Sequence, residues 1–406
     1  MCFRETGVWG GNWGGNVFAF GRKLFDVLSE TLRRLAVNSL AFERKRTCVW
    51  RSQGFFFMTK IQIDVVLLCH ETKNIMIMYK SILRPWLFRM DAEKIHGQIV
   101  ALLHVYRHFP PVKCLLRAFY RPKATPFQWR NLTFANRVGL SAGFDKEANC
   151  FDELSDLGFG FLEVGTVTPE KVAGNPFPRI FRLPEDHALV SRTGFNNPGK
   201  EVVLKNLQRK RDGKYILGVN INTNAPTDAE RAVTDITDLY ETFSAYADYY
   251  TINWGSMTPE ILTDVLTALE SYKQRLHRPV FLKLPADVPV EKLDAVIEFA
   301  KVHHIDGFIA TGPTQDRSLL IHSAQAEVER VGAGGISGLP VIHKSLEVMK
   351  YLSAHAPKDM LLIGAGGVMT PFEAKAMRNA GAHLVQVYSA FIYEGPGVVK
   401  RIAEKI

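Results

Sequence analysis

Cysteine is scarce in this chain and poorly placed for cross-linking. The five cysteines among 406 residues are odd in number, widely spaced and without a CxxC pair. A disulfide scaffold and a structural zinc site are therefore not expected, no metal is called for, and a reducing compartment is the default. Long apolar runs are missing as well. None reaches the ~18 uncharged residues that a membrane-spanning helix needs, and the run after Lys60 is broken by Asp64. Charge of one sign is not concentrated. Lys and Arg number 50 against 41 Asp and Glu, an excess of +9 with no dense basic block, so no nucleic-acid partner is expected. What is present is ordinary globular material, 47% hydrophobic and 22% charged, which excludes wholesale disorder. The length allows two or three domains, or one α/β barrel with additions.

The chain changes character twice. Residues 1–77 carry 11 basic and 6 acidic side chains and three of the cysteines (Cys2, Cys48, Cys69), with Trp9, Trp13 and Phe55 to Phe57 among glycines and no clear period. No compact apolar core follows Arg4 and Glu5, so this is not a secretory signal. Two readings stand: an organelle-targeting extension, or a segment outside the mature protein with translation starting at Met76 or Met78. Residues 78–120 show helical spacing, first Tyr79, Ile82, Leu83, Trp86, Leu87 and Met90, then Ile95 to Tyr106 ending near Pro110-Pro111. A third piece interleaves Leu115, Leu116, Phe119 and Tyr120 with Lys113, Arg117, Arg121 and Lys123. Apolar faces rimmed by Arg and Lys suit a membrane surface, and they equally suit packing on the domain behind.

From about residue 125 to 406, short apolar runs alternate with helical stretches. The expected strands are 138–140, 161–164, 216–220, 249–253, 280–284, 307–311, 361–364 and 384–388, each followed by a helix. Eight such pairs are the arithmetic of a (β/α)8 TIM barrel, an α/β fold. A proline-bearing excursion over 167–199 is expected to form β structure over the barrel mouth.

Barrel chemistry sits at the C-terminal strand ends. Here those ends carry Ser141 to Lys146, Gly165-Thr166, Asn220, Asn253, Lys283, Thr311, Gly364 to Gly367 and Tyr388-Ser389. The glycines after the seventh strand and the turn after the eighth are where barrels hold a phosphate. Two lysines and two asparagines aimed at one mouth suit a polar, partly anionic ring system. A phosphorylated flavin fits that inventory.

Several long motifs carry a resemblance. They are Ala142 to Lys146, Phe159 to Pro169, Gly174-Asn175-Pro176, Arg179 to Asp186, Gly334 to Gly338, Leu384 to Tyr388 and Ile392 to Pro396. Over residues 78–406 the chain resembles the membrane-associated, quinone-dependent class of dihydroorotate dehydrogenases. The resemblance implies FMN, with contacts at Ala142, Gly143, Lys146, Thr166, Asn220, Asn253, Lys283, Thr311, Gly338, Gly367, Tyr388 and Ser389, the last four around the phosphate. It implies Ser256 as the catalytic base, and substrate contacts at Lys146, Ser191, Asn253, Thr258 and Gly312. His96 and Arg182 would line the quinone's path, and 78–120 would be membrane-docking helices. The protein would then be a monomer held peripherally on a membrane, at the cytoplasmic side of the inner membrane in a bacterial host.

The family pattern breaks at the substrate. Ser191-Arg192-Thr193-Gly194-Phe195 stands for Asn-Arg-x-Gly-Phe. Asn253 to Pro259 is one residue shorter than Asn-x-Ser-Ser-Pro-Asn-Thr-Pro. Thr311-Gly312-Pro313-Thr314 replaces Thr-Asn-Thr-Thr. Of four asparagines only Asn253 remains, and Trp254 and Met257 are expected to add bulk near the reacting face. Each hydrogen-bonding group left without a partner costs ~1–3 kcal/mol. Three readings stay open: dihydroorotate oxidation with an unusual pocket, a flavin oxidoreductase acting on another small ring acid, and a non-catalytic FMN-binding module. Bleaching of bound flavin by dihydroorotate separates the first from the others.

Overall fold

The computed structural model describes residues 78–406; the features noted in residues 1–77 lie outside the described residues. A short hairpin, β1 (Phe127–Trp129) and β2 (Leu132–Phe134), precedes the barrel. Eight parallel strands then close on themselves: β3 (Val138–Leu140), β4 (Phe161–Val167), β7 (Ile216–Ile221), β8 (Tyr249–Asn253), β9 (Val280–Leu284), β10 (Gly307–Ala310), β12 (Leu361–Gly364) and β13 (Leu384–Val387). β13 pairs back onto β3 with Val385 opposite Val138. These strands are buried along almost their whole length, as strands covered on both faces must be, and this is why they read as unbroken apolar runs. Four strands have the bounds expected from the sequence. The others differ by one to three residues at their ends.

The excursion holds β5 (Ile180–Leu183) and β6 (Ala188–Ser191). A third strand, β11 (Gly335–Gly338), joins them from much later in the chain and gives an antiparallel sheet ordered β11-β6-β5. That sheet brings Ser191 and Gly338 to the barrel mouth. The opposite end of the barrel is plugged by the hairpin. Leu132 and Phe134 pack on Phe161, Tyr249, Phe281, Ile309 and Ile363, with Phe134 edge-on to Phe161 at 5.4 Å. Gly139 of β3 makes room for this plug, since a Cβ there would lie 2.4 Å from the Phe161 ring.

Ahead of the hairpin lie a π-helical turn (Tyr79–Leu83), α1 (Arg84–Phe88), α2 (Ala92–Tyr106) and α3 (Pro110–Tyr120). The Asp91 carboxylate caps α2 by accepting from the backbone N–H of Lys94 at 2.9 Å. Pro110 and Pro111 open α3 rather than merely ending α2, because proline's missing N–H is harmless in a first turn. The expected basic rim is only partly a rim. Lys113 lies 3.0 Å from Asp212, and Arg117 reaches Asp212 at 2.7 Å and pairs with Asp156. Arg107, just past α2, lies 3.1 Å from buried Glu153 of α4 (Phe151–Ser155). These cations fasten the helices to the barrel, while Phe109, Val112 and Leu115 stay exposed beside them.

Candidate active site

A cavity of about 1110 Å³ opens at the C-terminal mouth of the barrel and runs under α1 and α2. Ala142, Gly143, Lys146, Thr166, Asn220, Asn253, Lys283, Thr311, Gly338, Gly367, Tyr388 and Ser389 all line it, as do Ser191, Gly312, His96 and Arg182. Ser256 and Thr258 do not. The Ser256 hydroxyl donates to the carbonyl of Asn253 at 2.7 Å. Thr258 caps the helix Pro259–Leu276, its hydroxyl 3.4 Å from the Ile261 N–H. The bulk expected from Trp254 and Met257 is also elsewhere. Trp254 packs edge-on against Phe299 at 5.2 Å, and Met257 is buried between strands and helices. The apolar side chains of this loop find cover in the outer core, which leaves the mouth wider than the sequence suggests.

The floor of the cavity is a connected polar layer. Thr166 Oγ1 and Asn253 Nδ2 donate to Asn220 Oδ1 at 2.7 and 3.1 Å. Lys283 Nζ donates to Ser141 Oγ at 2.8 Å. Gln386 donates from Nε2 to Glu163 at 2.8 Å, while its buried Oε1 has no protein partner. A buried acceptor without a donor is costly. At the far end Gly338 leads through a 3-10 turn (Leu339–Val341) into the helix Ile342–His355, whose first turn carries partial positive charge. Gly366, Gly367, Ser337 and Ser389 share that corner. Gly367 must be glycine: it has φ +80°, and a Cβ would lie 2.5 Å from Ile342. Flat floor, lysine edge and anion-binding corner together match a phosphorylated flavin.

Over the floor, Lys146 is held by Asn196 Oδ1 and, at 3.2 Å, by Thr193 Oγ1. Burial, then the nearby Arg179 guanidinium, push its pKa down to about 8. Toward α1 and α2, His96 Nε2 lies 2.8 Å from the Phe144 carbonyl, and burial lowers the imidazole's pKa. Arg182 donates to the Met90 carbonyl at 2.7 Å and stacks over Phe88 at 4.7 Å.

The family profile described as Dihydroorotate dehydrogenase matches residues 127–406. The chain is 39% identical over 342 residues to dihydroorotate dehydrogenase (quinone) of Christiangramia forsetii, covering 81% of this chain and 98% of that protein. It is 38% identical over 337 residues to the Coxiella burnetii protein of the same name, covering 79% and 95%. Among solved structures, DHODH of Eimeria tenella in complex with ferulenol superposes with a TM-score of 0.64 at 30% identity, covering 72% of this chain and 88% of that one. The ligand-free form from the same organism gives 0.67 at 29%, covering 77% and 93%.

The chain belongs to the dihydroorotate dehydrogenase family.

Within this family member, four site residues escaped the sequence reading: Thr193, Asn196, Gln386 and Glu163. Gln386 and Glu163 each left a signal, a polar residue inside an otherwise apolar strand, which has to meet a polar partner in the barrel interior. Thr193 and Asn196 lie on a loop whose path depends on the three-stranded sheet, and no local pattern marks them.

Proposed function

We propose that this chain oxidises dihydroorotate to orotate, with FMN in the barrel mouth and a membrane quinone as electron acceptor, a step of pyrimidine biosynthesis. The observation that carries this reading is the convergence of Lys146, Asn220, Asn253, Lys283 and Gln386 on one cavity in a chain of this family. Bound FMN supplies the two-electron acceptor. Lys283 would hold the flavin's ring edge from the floor and supply a cation there. Gly338, Gly367, Tyr388 and Ser389 hold the phosphate corner. Lys146 and Asn253 anchor the substrate's anionic and carbonyl groups. Ser256 takes the proton from the ring carbon next to the one that gives up hydride. Its hydroxyl now rests on the Asn253 carbonyl, so the loop must turn it toward the mouth, a tightening common when substrate binds.

His96 and Arg182 would line the quinone's approach, under α1 and α2. Among the described residues no helix is long and apolar enough to cross a membrane. The exposed Phe109, Val112 and Leu115 favour a peripheral contact with the lipid surface that holds the quinone.

The test is anaerobic mixing of the FMN-reconstituted protein with dihydroorotate. Bleaching of the flavin, recovered on adding quinone, is the expected result. A flavin that stays oxidised sinks the reading.

A further inference from the structure

Beneath the cavity floor lies a carboxylate that the cavity itself does not reach. Glu163 of β4 is 1% exposed. Its Oε1 accepts from Asn220 Nδ2 at 3.1 Å and lies 3.7 Å from Lys283 Nζ. Its Oε2 accepts from Gln386 Nε2 at 2.8 Å and from the Tyr249 hydroxyl at 3.3 Å. Its partners stand on β7, β9, β13 and β8. Asn220, Lys283 and Gln386 line the cavity, while Tyr249 is buried below it.

A carboxylate accepts hydrogen bonds and donates none. Each amide beside Glu163 must therefore turn its NH2 group inward. That leaves Gln386 Oε1 unpartnered and Asn220 Oδ1 free to accept from Thr166 and Asn253. Asn253, having spent an N–H on Asn220, keeps its Oδ1 outside that chain. The same carboxylate offsets the Lys283 ammonium in a place where water screens little.

We propose that Glu163 is a positioning residue of the flavin site: it sets the direction of the hydrogen-bond chain from Gln386 and Asn220 to Asn253, and by partly neutralising Lys283 it lowers the reduction potential of the flavin above it. The inference rests on the FMN reading of the cavity.

Glu163→Gln keeps the shape, removes the charge and introduces a donor. The measurement is the midpoint potential of FMN in the reconstituted holoprotein, by reductive titration against a reference dye. The expected result is at least a tenfold shift toward reduced flavin, about 30 mV upward for a two-electron couple. Tyr249→Phe removes a donor from the carboxylate, so that its charge bears more fully on Lys283, and the potential should fall by a smaller amount. Opposite signs distinguish this role from a structural one, because a loosened barrel weakens FMN retention in both variants without moving the potential in two directions. An unchanged potential in Glu163→Gln, or shifts of one sign in both variants, overturns the proposal. If Glu163→Gln does not fold, Tyr249→Phe decides alone: a fall supports the proposal and no change overturns it. A wild type that binds no FMN overturns the FMN reading and this inference together, whereas a flavin-loaded wild type with unmoved variants overturns only the inference.

Discussion

The two sides of the cavity are built differently. The floor rises from barrel strands. Asn220, Lys283 and Gln386 sit on β7, β9 and β13, their side chains tied to one another or to Glu163 and Ser141. The substrate side hangs on loops and on the small β5-β6-β11 sheet, where Ser191, Thr193 and Asn196 come from one segment and Gly312 from another far away in sequence. The floor is closely hydrogen-bonded. The substrate side is more open: a Cβ at Gly312 would meet nothing nearer than the Leu284 carbonyl at 3.6 Å, so a side chain has room there. Strands hold the floor rigidly, whereas a loop-built rim can change without disturbing it.

The strongest attack on this contrast is at the floor. Lys283→Ala should slow flavin reduction by dihydroorotate ~100-fold or more, the usual scale for losing a preorganised charge in a buried site, and should weaken FMN retention. Stopped-flow reduction and dialysis against buffer read both, and an unimpaired rate would show that the floor does not dominate. Next is the rim. Ser191→Asn with Gly312→Asn should raise kcat/KM for dihydroorotate ~10–100-fold, since each restored hydrogen bond is worth ~1 kcal/mol or somewhat more. The pair should exceed the product of the singles if both face one ring. A fast wild type that gains nothing would show that the missing asparagines do not matter.

Lys146 gives a pH signature. Its pKa is lowered to about 8, so the cation is present below that pH and lost above it. Affinity for orotate, followed through the flavin spectrum, should therefore fall as pH rises from 8 to 9, by ~10-fold per unit at most. A flat profile across that range would remove Lys146 from anion binding. The smallest effect is expected outside the mouth. Phe109→Asp with Leu115→Asp should weaken vesicle binding and raise the KM for a long-chain quinone ~3–5-fold, in keeping with the loss of two interfacial anchors. Anaerobic flavin reduction should not change. If reduction slows as well, α2 and α3 do more than dock.

Much of the floor was legible in the sequence. Strands buried on both faces are near-continuous apolar runs, and their polar ends fall at one mouth by the geometry of the barrel, so Asn220, Asn253 and Lys283 could be placed from their positions alone. The loop after β8 was not legible. Trp254 and Met257 look like bulk over the substrate, yet they turn into the outer core, and Thr258 serves as a helix cap. In an irregular segment, which way a side chain points is set by the cover available, and that is a property of elements distant in sequence. The basic residues on the helices are a related case. Lys113 and Arg117 suggest a lipid-facing rim until Asp156 and Asp212 are seen beneath them.

By itself the sequence determined the eightfold alternation, the polar strand ends and the amphipathic helices ahead of them, because periodicity and burial act over a few neighbouring residues. Only the tertiary structure decided that the hairpin β1-β2 plugs the barrel, that β11 completes the sheet bearing Ser191, and that Glu163 draws four strands' side chains into one network. Each of these depends on contacts between residues tens to hundreds of positions apart, and no local pattern encodes which distant partner a buried group will find.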